Sequence, residues 1–269
     1  MIKYLLGLCV LCFALLQTGC SSAPEKNYSI TRYKDLSMTW LARGDRKRQE
    51  QRLAQAVLNY KTAYKYANLR NDVELMGLSL LKLASVYLDK EDFIAADESI
   101  ERVQTMQRFE NIDLTLSIKA VLAKKAHVAG DSSKAAAYAN ELVNIYTEDL
   151  EKSVYYRWLV VKYSAEPVDF AILDKDVQSL LTLKHSAKLE NIEVLSFILY
   201  QNALWRVDSL EPSAVDATKS AIEHFSGLEL TNRIRDCYTL LAKYYRSIGD
   251  TSSAQYFEQR IESLTIIPK

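Results

Sequence analysis

The chain has 269 residues and carries 34 Lys and Arg against 34 Asp and Glu, a formal net charge of zero at pH 7 with His neutral. This balance gives no global attraction to nucleic acid or to anionic lipid headgroups, so neither is an expected partner. Seven Gly and four Pro leave few helix breakers among abundant Ala, Leu, Lys and Glu, and the expected fold class is all-α.

The first predicted element is short and apolar. Lys3 precedes thirteen apolar residues, Tyr4 to Leu16, which as a helix reach about 20 Å against the roughly 30 Å hydrocarbon core of a bilayer. That length and the basic flank predict a secretory signal rather than a membrane span. Thr18 and Gly19 lead to Cys20, and the chain turns polar at Ser21-Ser22. The stretch resembles the end of a bacterial lipoprotein signal, with one departure: the family favours Leu three positions before the Cys, where this chain has Gln17. The resemblance implies cleavage after Gly19 and lipidation of Cys20. Ser21 after the Cys then implies an outer-membrane anchor facing the periplasm. Two or more acyl chains hold a protein stably where a single chain does not. The alternatives are an ordinary cleaved signal with an incidental Cys, or a cytosolic protein with an apolar N-terminal helix.

The expected organisation is therefore a signal peptide over 1–19, a lipidated Cys and polar tether over 20–30, and a helical repeat domain over 31–269. Removal of the signal takes away one cation, Lys3, and leaves 33 basic against 34 acidic residues. Cys9 and Cys12 leave with it and Cys20 is acylated, so Cys237 alone stays free and no internal disulfide forms. Its neighbours in RDCYTLLAKYY predict a buried, inert thiol.

Beyond the tether the sequence repeats itself. LASVYLDKEDFIAADESI (83–100), LAKKAHVAGDSSKAAAYA (122–139) and LAKYYRSIGDTSSAQYFE (241–258) share Leu-Ala, an Asp eight positions after that Ala, and another Ala twelve positions after it. The shared residues are Ala84, Asp92 and Ala96; Ala123, Asp131 and Ala135; Ala242, Asp250 and Ala254. An earlier unit keeps Trp40, Gly44, Ala56, Tyr60 and Ala63 but lacks the Asp turn. Gly130-Asp131 and Gly249-Asp250 predict turns in which Gly closes one helix and Asp caps the next. These units resemble tetratricopeptide repeats, in which a small residue on the first helix and an Ala on the second let the backbones approach.

Anchors Gly44, Ala84 and Ala123 are 40 and 39 residues apart, and Ala123 to Ala242 spans 119. Intermediate anchors fall near Tyr163 and Ala203, in units without the small-residue and Asp signatures. The expectation is a right-handed α-solenoid of about six tetratricopeptide-like hairpins, with a step longer than the usual ~34 residues.

No catalytic motif stands out. His127, His185 and His224 lie in different units with no i, i+4 His or Cys partner, so no metal and no cofactor are expected. Sequence finds no nucleophile elbow and no phosphate-cradling loop. The basic run Arg43 to Arg52, interleaved with Asp45 and Glu50, reads as a solvated helix face, the alternative being a contact to anionic headgroups or the cell-wall polymer. Seventeen Tyr divide between core and binding surface in a way that counting does not separate.

The resemblance implies that ligand-facing residues lie one and four positions after the small anchor, which selects Lys124 and His127 in one unit and Lys243 and Arg246 in another. The same offsets give Leu88 and Leu204 elsewhere. For His127 the competing role is a solvated or locally hydrogen-bonded ring. The expected function is a lipid-anchored, non-enzymatic scaffold that binds a protein or peptide partner of the cell envelope in its groove. The alternatives are an envelope enzyme, or a small-ligand receptor with a site assembled between repeats.

Overall fold

A computed structural model describes residues 30–164 and 167–265. The expected signal segment, Cys20 and the tether before Ile30 lie outside the described residues. Within them the chain is all-α, with twelve helices and no strand. In order they are α1 (Arg32–Gln49), α2 (Leu53–Arg70), α3 (Val73–Asp89), α4 (Phe93–Phe109), α5 (Thr115–Val128), α6 (Ser132–Ile145), α7 (Leu150–Ser164), α8 (Phe170–His185), α9 (Ile192–Asp208), α10 (Ala214–Gly227), α11 (Thr231–Ser247) and α12 (Thr251–Thr265). No helix among the described residues is long and apolar enough to cross a membrane.

Helix boundaries follow from local chemistry. Asp72, Asp92, Asp131, Asp169 and Asn191 each accept a backbone N–H from the first turn of the helix they precede, and Asp250 accepts the N–H of Ser253. These are N–H groups that a helix cannot satisfy itself. Gly130 and Gly249 take the left-handed conformation at φ 82°, as their turns require. The other left-handed positions are not glycine: Gln51, Asn71, Glu91, Ala187, Leu210 and Glu229 have φ between 53° and 59°. The left-handed residue closes several helices, but among the described residues glycine marks it only twice.

Packing is set by small residues. A Cβ on Gly44 would lie 2.3 Å from Tyr60 Cε1, so α1 and α2 meet at this distance only because the side chain is absent. Ser37 Oγ donates to the Ala63 carbonyl at 3.0 Å along the same contact. The expected anchors Gly44, Ala84, Ala123, Tyr163, Ala203 and Ala242 are all buried, as are Ala96, Ala135 and Ala254 on the partner helices. Three apolar clusters result: one around Tyr60, Leu80 and Val103, one around Ala126, Ala139 and Leu159, and one from Val154 to Tyr244. Cys237 belongs to the last, and burial pushes its thiol up to about 12, so it stays protonated and unreactive.

The segment without small-residue signatures is tied by polar bonds instead. Asp176 on α8 accepts Trp158 Nε1 at 3.0 Å and the Arg157 guanidinium at 3.0 and 2.6 Å, which fixes α8 to α7. Glu151 accepts the backbone N–H groups of Glu190 and Asn191 at 2.7 and 2.8 Å, pinning the α8–α9 connection onto α7. Tyr163 occupies an anchor position where other units have a small residue, and its ring is received by His127 at 4.4 Å between centroids.

Gly44→Ala is expected to force Tyr60 aside and lower stability by about 1–3 kcal/mol, the range for overpacking. Ala135→Leu is expected to cost a similar amount. Thermal unfolding of both variants checks the register, and wild-type melting of both would refute it.

Candidate ligand-binding cavity

The odd-numbered helices form an inner layer: α3 packs against α5, α7 against α9, and α9 against α11. Together with α1 they line a half-open cavity of about 810 Å³. Its wall includes Asp45 and Arg48 of α1, Lys82 and Asp89 of α3, Val121 of α5, Tyr155 and Tyr156 of α7, Glu193, Phe197 and Tyr200 of α9, and Arg233 of α11. This is within the range of about 300–1,000 Å³ typical of ligand sites. A shallower hollow of about 520 Å³ lies between α4, α5 and α6 near Gln107, Lys119 and Tyr138.

The layer bends far enough for its ends to meet. Gln51 Nε2 donates to Asp236 at 2.6 Å, Asn232 Nδ2 donates to the Glu50 carbonyl at 2.5 Å, and Arg46 lies 3.9 Å from Glu229. The seam is polar. Leu53 on one side and Leu230 and Ile234 on the other pack into different apolar clusters.

The wall has two characters. On the α1, α3 and α5 side it is ionic. Asp45 accepts Tyr60 Oη at 2.5 Å and Lys82 Nζ at 2.7 Å. Asp89 accepts Arg48 Nε at 2.6 Å and is also bonded by Lys124, whose Nζ donates to the Ser85 carbonyl at 2.6 Å. Burial alone would raise the Asp89 carboxyl, but Arg48 and Lys124 hold it below the usual range. Lys124 is pushed down to about 7, first by burial and then by Arg48, with Asp89 only partly offsetting them. Burial raises Glu193, and the Asp45 charge adds to this. On the α7 and α9 side the wall is aromatic. Tyr155 meets Tyr156 and Phe197 edge-on, with centroids 5.2 and 5.3 Å apart. Arg233 lies over the Tyr200 ring at 5.4 Å.

One arrangement invites a catalytic reading. Ser196 Oγ, on the wall, lies 2.8 Å from His224 Nε2, and Lys184 Nζ lies 3.4 Å from His224 Nδ1. A lysine ammonium is a donor only, so Nδ1 accepts and the ring proton sits on Nε2. Nε2 then donates to Ser196 and has no lone pair with which to take the hydroxyl proton. Burial, with Lys184 nearby, lowers His224 to about 4 and keeps the ring neutral. The contact ties α8, α9 and α10 together; it does not activate a nucleophile. Among the described residues no group of three or more His, Cys, Asp or Glu could hold a metal ion.

The residues selected from sequence are spread out. Lys124 reaches the cavity wall through Asp89 and Ser85. His127 stacks on Tyr163 beside it, its ring lowered by burial and then by Lys162 and Lys124. Lys243 pairs with Asp208 at 2.6 Å and Arg246 with Glu258 on α12, both exposed and outside the cavity wall. Leu88 is buried in the first apolar cluster and Leu204 packs against the last.

The residues missed from sequence are Arg48, Asp89, Tyr155, Phe197, Tyr200 and Arg233. Arg48 was hidden inside a basic run that reads as a solvated face. Along the chain the lining residues slide from the C-terminal end of α3 (Lys82, Ser85, Asp89) to the N-terminal half of α9 (Glu193, Phe197). A fixed offset from each anchor therefore does not follow the cavity.

A scan against protein-family models finds no match to this chain, and a search of curated proteins finds no significant relative.

Two predictions follow from the cavity's construction. Gln51→Ala with Asn232→Ala removes two seam hydrogen bonds worth about 0.5–1.5 kcal/mol each. X-ray scattering should show a larger radius of gyration, while the melting temperature stays within roughly 8 °C because the apolar clusters are untouched. Separately, Lys124 titrates near 7 when folded and at 10.5 when unfolded, so between those values the unfolded chain holds a proton that the folded chain lacks. Stability from this group therefore rises as pH goes from 7 towards 10.5. Urea unfolding across that window should show the rise in the native protein and a flatter profile in Lys124→Met.

Proposed function

We propose that this chain is a lipid-anchored periplasmic adaptor, held at the outer membrane through Cys20, whose half-open interior receives an extended segment of a protein partner of the cell envelope. Its helices form a right-handed solenoid of six tetratricopeptide-like hairpins with a step near 40 residues. Cross-chain bonds support the step: Arg48–Asp89, Asp45–Lys82, Asp89–Lys124, Glu151–Asn191 and Asp208–Lys243 join residues 35 to 41 positions apart.

The observation that carries the binding reading is the chemistry of the inner wall. Tyr155, Tyr156 and Tyr200 line the cavity, and none of their hydroxyls has a hydrogen-bond partner among the described residues, whereas Tyr60, Tyr64 and Tyr238 are bonded to Asp45, Arg102 and Arg260. Phenol groups that are rigid and half-buried suit the donor and acceptor groups of a peptide backbone. A cavity of about 810 Å³ admits one extended segment but no folded domain. Lys124 and His127 border this interior. Lys243 and Arg246 enter the reading as exposed cations beyond it.

Closure of the ring also favours a second reading, a small-ligand receptor. Photo-crosslinking from membranes separates the two. A photoreactive residue at Tyr200 should capture a partner protein through an extended or terminal segment, and one at the exposed Leu58 should not. Capture from Leu58 alone, or a small molecule co-purifying with no protein cross-link, overturns the adaptor reading. The anchor has its own check: Cys20→Ala is expected to abolish acyl labelling, and equal labelling of the variant refutes lipidation at Cys20.

A further inference from the structure

We propose that the interior contains an oxyanion site, formed by Arg48, Lys124 and Lys162 with the Tyr155 hydroxyl, which takes a carboxylate or phosphate group of the bound molecule. The proposal rests on the reading that the inner wall is the ligand-binding face.

Three helices from three parts of the chain bring these cations together: Arg48 from α1, Lys124 from α5 and Lys162 from α7. The acid that answers them is Asp89, and it is shared. Arg48 Nε donates to it at 2.6 Å and Lys124 bonds its other oxygen. Asp89 is thus divided between Arg48 and Lys124, and Lys162 has no carboxylate of its own among the described ion pairs.

The remaining hydrogen-bonding capacity is open. Apart from Nε, the Arg48 guanidinium finds no acceptor among the described residues. Lys162 makes no ion pair among them, and its ammonium lies 5.5 Å from the centroid of the Phe197 ring. A ring face attracts a cation more weakly than a carboxylate does. Tyr155 lies on the cavity wall with its hydroxyl unbonded. Of the other acids on the wall, Asp45 holds Lys82 and Tyr60, and Glu193, its carboxyl raised by burial, lies within the field of Lys82 and Arg48.

The electrostatics agree with an unanswered positive charge. The groups acting on Lys124 are Arg48 from α1, Asp89 from α3 and Lys162 from α7, with His127 on its own helix. Lys162 is lowered by burial, with Arg233 opposing its charge further and Asp89 only partly restoring it. Lys162 is exposed, and its ammonium stands beside Phe197, whose ring belongs to the cavity wall. A bound oxyanion would relieve this repulsion and supply the acceptor that the Arg48 fork and the Tyr155 hydroxyl lack.

The test uses the purified full-length protein with sodium phosphate and sodium succinate as probes, against sodium chloride at matched ionic strength. At pH 7 one or both probes should raise the melting temperature and bind in calorimetry. Binding should take up protons, because an anion raises Lys124 from about 7, so affinity should fall as pH rises from 7 to 9. Whichever probe binds more tightly tells whether the native group is phosphate or carboxylate. Lys162→Met should lose at least ten-fold in affinity without lowering the melting temperature of the anion-free protein. Lys162→Gln is expected to behave alike, and Lys243→Met should bind as the native protein does. An equal response to sodium chloride, or undiminished affinity in both Lys162 variants, overturns the site. A protein that binds the probes yet gives no cross-link from Tyr200 keeps the oxyanion site and loses the adaptor reading. A Lys162 variant that loses the probes but keeps its cross-linked partner severs the two.

Discussion

Close approach of helix backbones at a few small residues is the constraint on which the rest of the molecule depends. Where Gly44 faces Tyr60, or where Ala84, Ala123 and Ala203 are buried against their neighbours, the absent side chain sets how near two helices can lie. Repeated along the chain, that distance lets odd-numbered helices share an inner layer, in which α3 meets α5, α7 meets α9 and α9 meets α11. The layer bends until the turn after α1 meets α11 through Gln51, Asp236 and Asn232. The cavity is a product of that bending, since no single helix pair contains it. A bulky residue at one anchor would change the bend, and therefore the cavity, many residues away. Tyr163 is the exception that the fold absorbs, by stacking it on His127.

The interior is also where the molecule departs most from what stability alone would favour. Hydrophobic clusters fill the spaces between helices, yet the inner wall keeps Arg48, Lys82, Lys124 and Arg233 beside the carboxyls of Asp45, Asp89 and Glu193. Desolvating charge is costly, and burial depresses Lys124 and raises Glu193 accordingly. The same side chains provide unfilled hydrogen-bonding capacity on a concave surface, which is what recognition of a polar segment needs. The outer ties are of another kind. Asp176 with Trp158 and Arg157, and Glu151 with the α8–α9 connection, are complete on their own and leave nothing to offer a ligand.

Some of this was legible in the chain. The shared Asp92, Asp131 and Asp250 marked the caps, Gly130 and Gly249 marked left-handed turns, and the spaced small residues marked the buried contacts. These are local effects: a cap or a left-handed turn involves a few neighbouring residues, so its residue types declare it. Legibility failed where the same conformation is imposed from outside. Gln51, Glu91, Leu210 and Glu229 are left-handed without being glycine, so residue type does not declare these turns. It failed too in α7 to α10, where Asp176 and Glu151 replace small-residue contacts with bonds between residues 18 to 40 positions apart.

The sequence by itself determined the helical class, the spacing of the close contacts and a candidate for a lipid-bearing Cys20, because periodicity, capping and short signals are written in adjacent residues. Tertiary structure alone decided which side chains share the interior. Arg48, Asp89 and Lys124 meet through bonds between residues 35 and 41 positions apart on three helices, and no local pattern announces such a meeting. The register of the wall drifts from the end of α3 to the beginning of α9. Contacts between helices that are distant along the chain are invisible in any one unit and decide what the units share.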